Sequence, residues 1–169
     1  KSGSITRILD TLPTGSTALT LHGTLSPGYL DLQVNGGGDA LLNNTPTLQA
    51  MQTMAAAHRR FGTVGIMPTV ITDAPEVLEH AADAALQAHA LRGILGLHIE
   101  GPHLSLARRG THAAQFIRPL DARTLSVVQR LREADVAVMI TLAPEAVAAG
   151  QIANLVAMGA VVSLGHSDA

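Results

Sequence analysis

Side chains able to do chemistry concentrate in one stretch, Gly96-Leu97-His98-Ile99-Glu100-Gly101-Pro102-His103-Leu104. Read with a two-residue period, Leu97 and Ile99 face one way and His98 and Glu100 the other, so a carboxylate ends an apolar strand at a Gly-Pro break. A charged group on the inner face of a buried strand needs a partner, which is either a structural cation or a metal ion. His166, placed after a later apolar run, is the candidate second group. Carboxylate plus imidazole suits zinc or another divalent transition metal, but two ligands fall short of the three protein ligands and a water usual for catalytic zinc. A Glu-His hydrogen bond inside a structural core is the alternative, and residue types alone leave both open.

Other polar positions carry weaker signals. Gln33 shares a strand face with Tyr29 and Asp31; its amide suits a donor to a bound water or a ligand carboxylate, or a plain rim hydrogen bond. Asn35-Gly36-Gly37-Gly38 lacks either phosphate-loop spacing and is expected to be a flexible connection. Arg108-Arg109 could attract an anionic substrate or simply be solvated. Thr111 and His112 follow Gly110 as a hinge and can fold back over the Glu100 region. His22, His58, His80 and His89 fall in helices or early turns and are expected to be structural or solvent-facing.

These groups need a scaffold, and the composition supplies a globular one. Of 169 residues, 47% are apolar and 14% charged, enough for a sizeable core. The net charge of −2 has no long run of one sign, so neither nucleic acid nor a membrane surface is an expected partner. No cysteine is present, which excludes thiol catalysis and disulfides and leaves His, Asp and Glu to hold any metal. With no apolar run of span length and no signal pattern, the expectation is a soluble, cytoplasmic chain. Aromatic residues make up only 2%, against a stacking platform for bases or sugars.

Residues 1–26 read as irregular or short β pieces, 4–9 and 18–22, around a Pro-Thr-Gly turn. From there strand and helix alternate: strands over 29–34, 62–71, 94–100, 136–142 and 161–165, helices over 46–60, 75–91, 121–133 with Asp121 as N-cap, and most of 144–158. Such βαβ units predict a parallel sheet, and near-continuous apolar runs predict strands covered on both faces. An open doubly wound sheet and a barrel both fit. Gln33, Thr69, Glu100, Glu145 and His166 all fall at or just past strand C-terminal ends, the rim where (β/α)8 barrels place their active sites. Five units are too few to close a barrel, so the expectation is a partial (β/α)8 TIM barrel from an incomplete chain.

Several motifs together resemble the N-acetylglucosamine-6-phosphate deacetylases of the amidohydrolase superfamily. They are Ser26-Pro-Gly-Tyr-Leu-Asp-Leu-Gln-Val-Asn-Gly36, Met67-Pro-Thr-Val-Ile-Thr72, Leu97-His-Ile-Glu-Gly-Pro-His103, Gly110-Thr-His112, Thr141-Leu-Ala-Pro-Glu145 and Gly165-His-Ser-Asp-Ala169, in that order. The resemblance implies a metal-dependent barrel that hydrolyses the acetamide of N-acetyl-D-glucosamine 6-phosphate to glucosamine 6-phosphate and acetate. It implies Glu100 and His166 as metal ligands, Thr111 and His112 as substrate contacts, and Gln33 near the ligands. Gln33-Val34-Asn35 stands where many amidohydrolases carry His-x-His, which implies one divalent ion, zinc by ligand type or iron. It further implies a homodimer whose partner molecule is an amino-sugar phosphate.

The same resemblance makes residues 1–25 the remnant of a small β-sandwich and residues 26–169 the first five βα units of the catalytic barrel. It puts the third metal-binding histidine, the general-base aspartate and most phosphate contacts beyond Ala169, so this stretch alone is expected to be inactive, with exposed sheet edges that favour aggregation. Two other readings stand beside it: an amidohydrolase acting on another amide, and a non-catalytic sugar-phosphate binding module.

Overall fold

The computed structural model describes residues 5–169. Five parallel strands form one sheet in the spatial order of the sequence: β1 (Tyr29–Val34), β4 (Thr63–Ile71), β5 (Gly96–Glu100), β6 (Ala137–Leu142) and β7 (Val161–Leu164), curled into a half-barrel. Helices α1 (Leu48–Arg59), α2 (Pro75–Gln87), α3 (Ala122–Glu133) and α4 (Gln151–Ala157) fill the crossovers. A parallel pair cannot be joined by a tight turn, so each crossover needs a helix, and the helices bury the outer face of the sheet.

That burial divides the strand residues by parity. Ile66 and Val70 of β4, Leu97 and Ile99 of β5, and Val138, Ile140 and Leu142 of β6 join Met51, Met54, Leu131 and Leu155 in the core beneath the helices. The alternate residues face inward, and these are Thr69, His98, Glu100 and Thr141. Central strand β5 is buried at every position, while edge strand β1 is mostly exposed and edge strand β7 is exposed only at its two ends.

Local signals set the helix starts. The Asp121 carboxylate accepts from the Thr124 amide at 2.8 Å, as its N-cap reading requires, and Thr47 does the same for Ala50 at 3.3 Å. Pro75 opens α2, where its missing N–H costs nothing.

Three expectations change. Residues 144–158 are not one helix: a 3-10 turn over Pro144–Ala146 is followed by α4, which starts only after Gly150 in the left-handed region at φ 83°. Asn35-Gly36-Gly37-Gly38 is not a free connection, because β2 (Gly36–Gly37) pairs with β3 (Ala40–Leu41) as a short antiparallel hairpin. His58 braces it, its Nε2 donating to the Gly36 carbonyl at 3.1 Å. Residues 5–28 contain no strand, so the β pieces expected at 5–9 and 18–22 do not form here, and Ser4 lies outside the described residues. A strand on its own cannot satisfy its backbone groups, and neither segment finds a sheet to join.

Candidate metal centre

Glu100 is the last residue of β5, and its side chain turns to the inner face only 7% exposed. The chain then doubles back through Gly101 at φ 76°. There a Cβ would strike the Thr72 hydroxyl, so glycine is required for the loop to pass this close. The loop carries His112 into the mouth of the half-barrel, and His166 arrives from the end of β7.

The three groups meet. His166 Nε2 lies 3.2 Å and His112 Nε2 3.8 Å from the same Glu100 oxygen, Oε1. The two imidazoles pack edge to face with centroids 4.6 Å apart. One donor atom from each of Glu100, His112 and His166 falls within 4.8 Å of the others. Gln33 Nε2 donates to the other carboxylate oxygen, Oε2, at 2.9 Å, so the expected polar contact of Gln33 is made to Glu100 itself.

Hydrogen bonding determines what the imidazoles present. His166 Nδ1 lies 2.9 Å from the Arg108 carbonyl, which can only accept, so Nδ1 carries a hydrogen. Its Nε2 then faces a carboxylate oxygen, and two lone pairs cannot share that gap. A cation must sit there, either a proton on Nε2 or a metal ion.

His112 is held in a similar way. The Thr72 hydroxyl lies 2.7 Å from His112 Nδ1 and 3.5 Å from the Glu100 carbonyl, and the shorter contact fixes the ring. Nε2 is thereby left aimed at Glu100. Two oriented imidazoles and one oriented carboxylate are a donor set that fits a divalent transition metal, with an outer shell fixing each ligand.

The charge state agrees with this. His112 foremost, and His166 after it, hold the Glu100 carboxyl down at about 2, against the upward push of burial. An ionised carboxylate in a closed site is the state a metal requires. His166 itself sits at φ 53°, a left-handed conformation that a non-glycine residue adopts only under constraint. The constraint is visible: the Ser105 amide donates to the His166 carbonyl at 3.0 Å while Arg108 takes its ring.

Other candidates fall elsewhere. Thr111 is exposed, beside the convergence and not in it. Arg108 spends its charge on Asp168 at 2.7 Å, and Arg109 donates to the His112 carbonyl at 2.9 Å, so both cations brace the loop. His103 is fully buried between the Arg118 carbonyl at 3.0 Å and Thr124 Oγ1 at 3.1 Å, turned away from Glu100. The sequence pointed to Glu100 and His166 and to His112 folding back over them from the Gly110 hinge, but not to Thr72 and the Arg108 carbonyl as the groups that orient the rings. A carbonyl carries no sequence signal at all; Thr72 had one, the Met67–Thr72 motif.

No helix among the described residues is long and apolar enough to cross a membrane. No family model matches the chain. It is 49% identical over 150 residues to an N-acetylgalactosamine-6-phosphate deacetylase of Shewanella sp., covering 87% of this chain and 37% of that protein. The crystal structure of N-acetylglucosamine-6-phosphate deacetylase from Pasteurella multocida superposes with a TM-score of 0.77 at 34% identity, over 85% of this chain and 38% of that one. A D267A mutant of the Mycobacterium smegmatis N-acetyl-D-glucosamine-6-phosphate deacetylase, solved with N-acetyl-D-glucosamine-6-phosphate, gives 0.70 at 33% identity over 85% and 37%. The chain therefore spans under two fifths of the length of these relatives.

Proposed function

We propose that the chain belongs, over the residues it shares with them, to the N-acetylglucosamine-6-phosphate deacetylase family and supplies part of the catalytic rim of an enzyme that hydrolyses the acetamide of an N-acetylhexosamine 6-phosphate. The products are the free amino-sugar phosphate and acetate. The observation that carries this reading is the convergence of Glu100, His112 and His166 in a chain of this family.

In this reading Glu100 and His166 hold one divalent ion, zinc by its ligand types, with iron as the other candidate. When bound, such an ion acidifies a water and withdraws charge from an amide carbonyl. Gln33 keeps the Glu100 carboxylate turned toward the site through Oε2, and Arg108 and Thr72 keep Nε2 of each ring facing it. His112, buried at the mouth, is placed to donate to the acetamide oxygen as negative charge develops there, and Thr111 beside it is offered to the sugar. Residues 1–25 as part of a small β-sandwich, residues 26–169 as barrel units, a homodimer and a cytoplasmic location belong to the same reading, supported by the family resemblance.

A second reading concerns the sugar. Identity to the N-acetylgalactosamine-6-phosphate enzyme is 49%, against 34% and 33% for the two glucosamine enzymes above, which favours the galactosamine epimer as substrate. Acetate release by the protein at its natural length, with added Zn(II) or Fe(II), decides among these. Turnover of either 6-phosphate supports the deacetylase reading, the ratio of the two kcat/KM values assigns the epimer, and turnover of neither overturns the proposal.

A further inference from the structure

One buried, chemically capable side chain has no part in the scheme above. His98 is 1% exposed, two residues before Glu100 on the same inward face of β5, and lies between threonines of the two flanking strands. Its Nδ1 is 3.1 Å from Thr69 Oγ1 on β4, and its Nε2 is 2.8 Å from Thr141 Oγ1 on β6. The protons can be assigned. Thr69 Oγ1 accepts from the Val34 amide at 2.9 Å and donates to the Met67 carbonyl at 3.2 Å, so what it offers His98 is a lone pair. His98 Nδ1 therefore carries the hydrogen, and Nε2 accepts from the Thr141 hydroxyl.

Both arms lead to the metal centre. On the β1 side, Thr69 anchors Val34, whose neighbour Gln33 donates to Glu100 Oε2. On the β7 side, Thr141 pairs across the sheet with Glu100, and its Cγ2 fills the space where a Cβ on Gly165 would stand, 2.8 Å away, directly before His166. The Thr141 rotamer, set by its bond to His98, decides how closely β7 and its histidine approach. One imidazole thus links β4 and β6, the immediate neighbours of the strands that deliver the donor to Glu100 and the other ligand.

We propose that His98 is a positioning residue: by bridging Thr69 and Thr141 it sets the separation and orientation of Glu100 and His166. The inference rests on the metal-site reading above and adds a residue that touches neither the ion nor substrate. A partner of this kind is worth about 10- to 100-fold in metal affinity.

The test is Co(II) binding to the protein at its natural length, read as affinity and as the visible ligand-field spectrum. His98→Phe fills the space without either hydrogen bond; it is expected to bind Co(II) about tenfold or more weakly, with a shifted spectrum. His98→Gln can donate at one end and accept at the other, and is expected to restore most of the loss. Thr141→Val keeps the methyl against Gly165 and removes only the hydroxyl, and is expected to weaken binding in the same direction. It serves as the deciding variant if His98→Phe does not fold. Wild-type affinity and spectrum in folded His98→Phe, or in Thr141→Val where that variant decides, overturn the inference. If the unaltered protein takes no Co(II), the metal-site reading fails and this inference with it; if it binds and the variants match it, only this inference falls.

Discussion

His166 Nε2 stands 3.2 Å from Glu100 Oε1 while its Nδ1 is spent on the Arg108 carbonyl, so the short approach of ring to carboxylate demands a cation between them. A divalent ion competes with protons for these groups, so binding of Zn(II) is expected to release protons and to weaken as pH falls. Titration in weak buffer with an indicator dye measures this directly; binding without proton release contradicts the assignment.

Gln33 donates to Glu100 Oε2 at 2.9 Å and has no other visible task. Gln33→Leu is expected to lower metal affinity about 10- to 100-fold while changing the melting temperature little, since the side chain lies on an exposed edge strand. Competition against a chelator of known strength provides the measurement.

The Glu100 carboxyl, lowered from 4.5 to about 2, links stability to pH. A depressed carboxyl stabilises the fold fully above its unfolded value and loses that contribution as pH drops through its folded value. Between these limits the expected loss is about 3 kcal/mol. Urea unfolding in the presence of a chelator, from about pH 6 to about pH 2, should show it, and Glu100→Gln should flatten this limb. An unchanged acid limb in that variant removes Glu100 as its source.

On the proposed deacetylase reading, His112 donates to the acetamide oxygen. In the protein at its natural length, His112→Ala is expected to reduce kcat by about 10²–10³. A raised KM with kcat intact would make it a binding contact only. Thr72→Val, which releases Nδ1 of the same ring, should shift kcat in the same direction by less, because the imidazole stays and only its orientation loosens.

The sequence by itself determined the half-barrel's strands, their parallel order and the split of β5 into an apolar outer face and a polar inner one. Local periodicity and caps such as Asp121 encode these, and each is read from neighbours only a few residues apart. It also named Glu100 and His166, because a carboxylate and an imidazole at strand ends are unusual where apolar residues dominate. It misjudged residues 144–158, where helix-forming composition yields to a left-handed Gly150, and the glycine run after Val34, which closes a hairpin that His58 braces from 22 positions away. Only the tertiary structure decided how closely His112 meets Glu100 and His166 and that Thr72 and the Arg108 carbonyl orient the rings. Only it showed that His98 bridges the sheet beneath them. Those facts depend on sheet curvature, inter-strand register and backbone groups identical in every residue, so they arise when residues 29 to 66 positions apart are brought together.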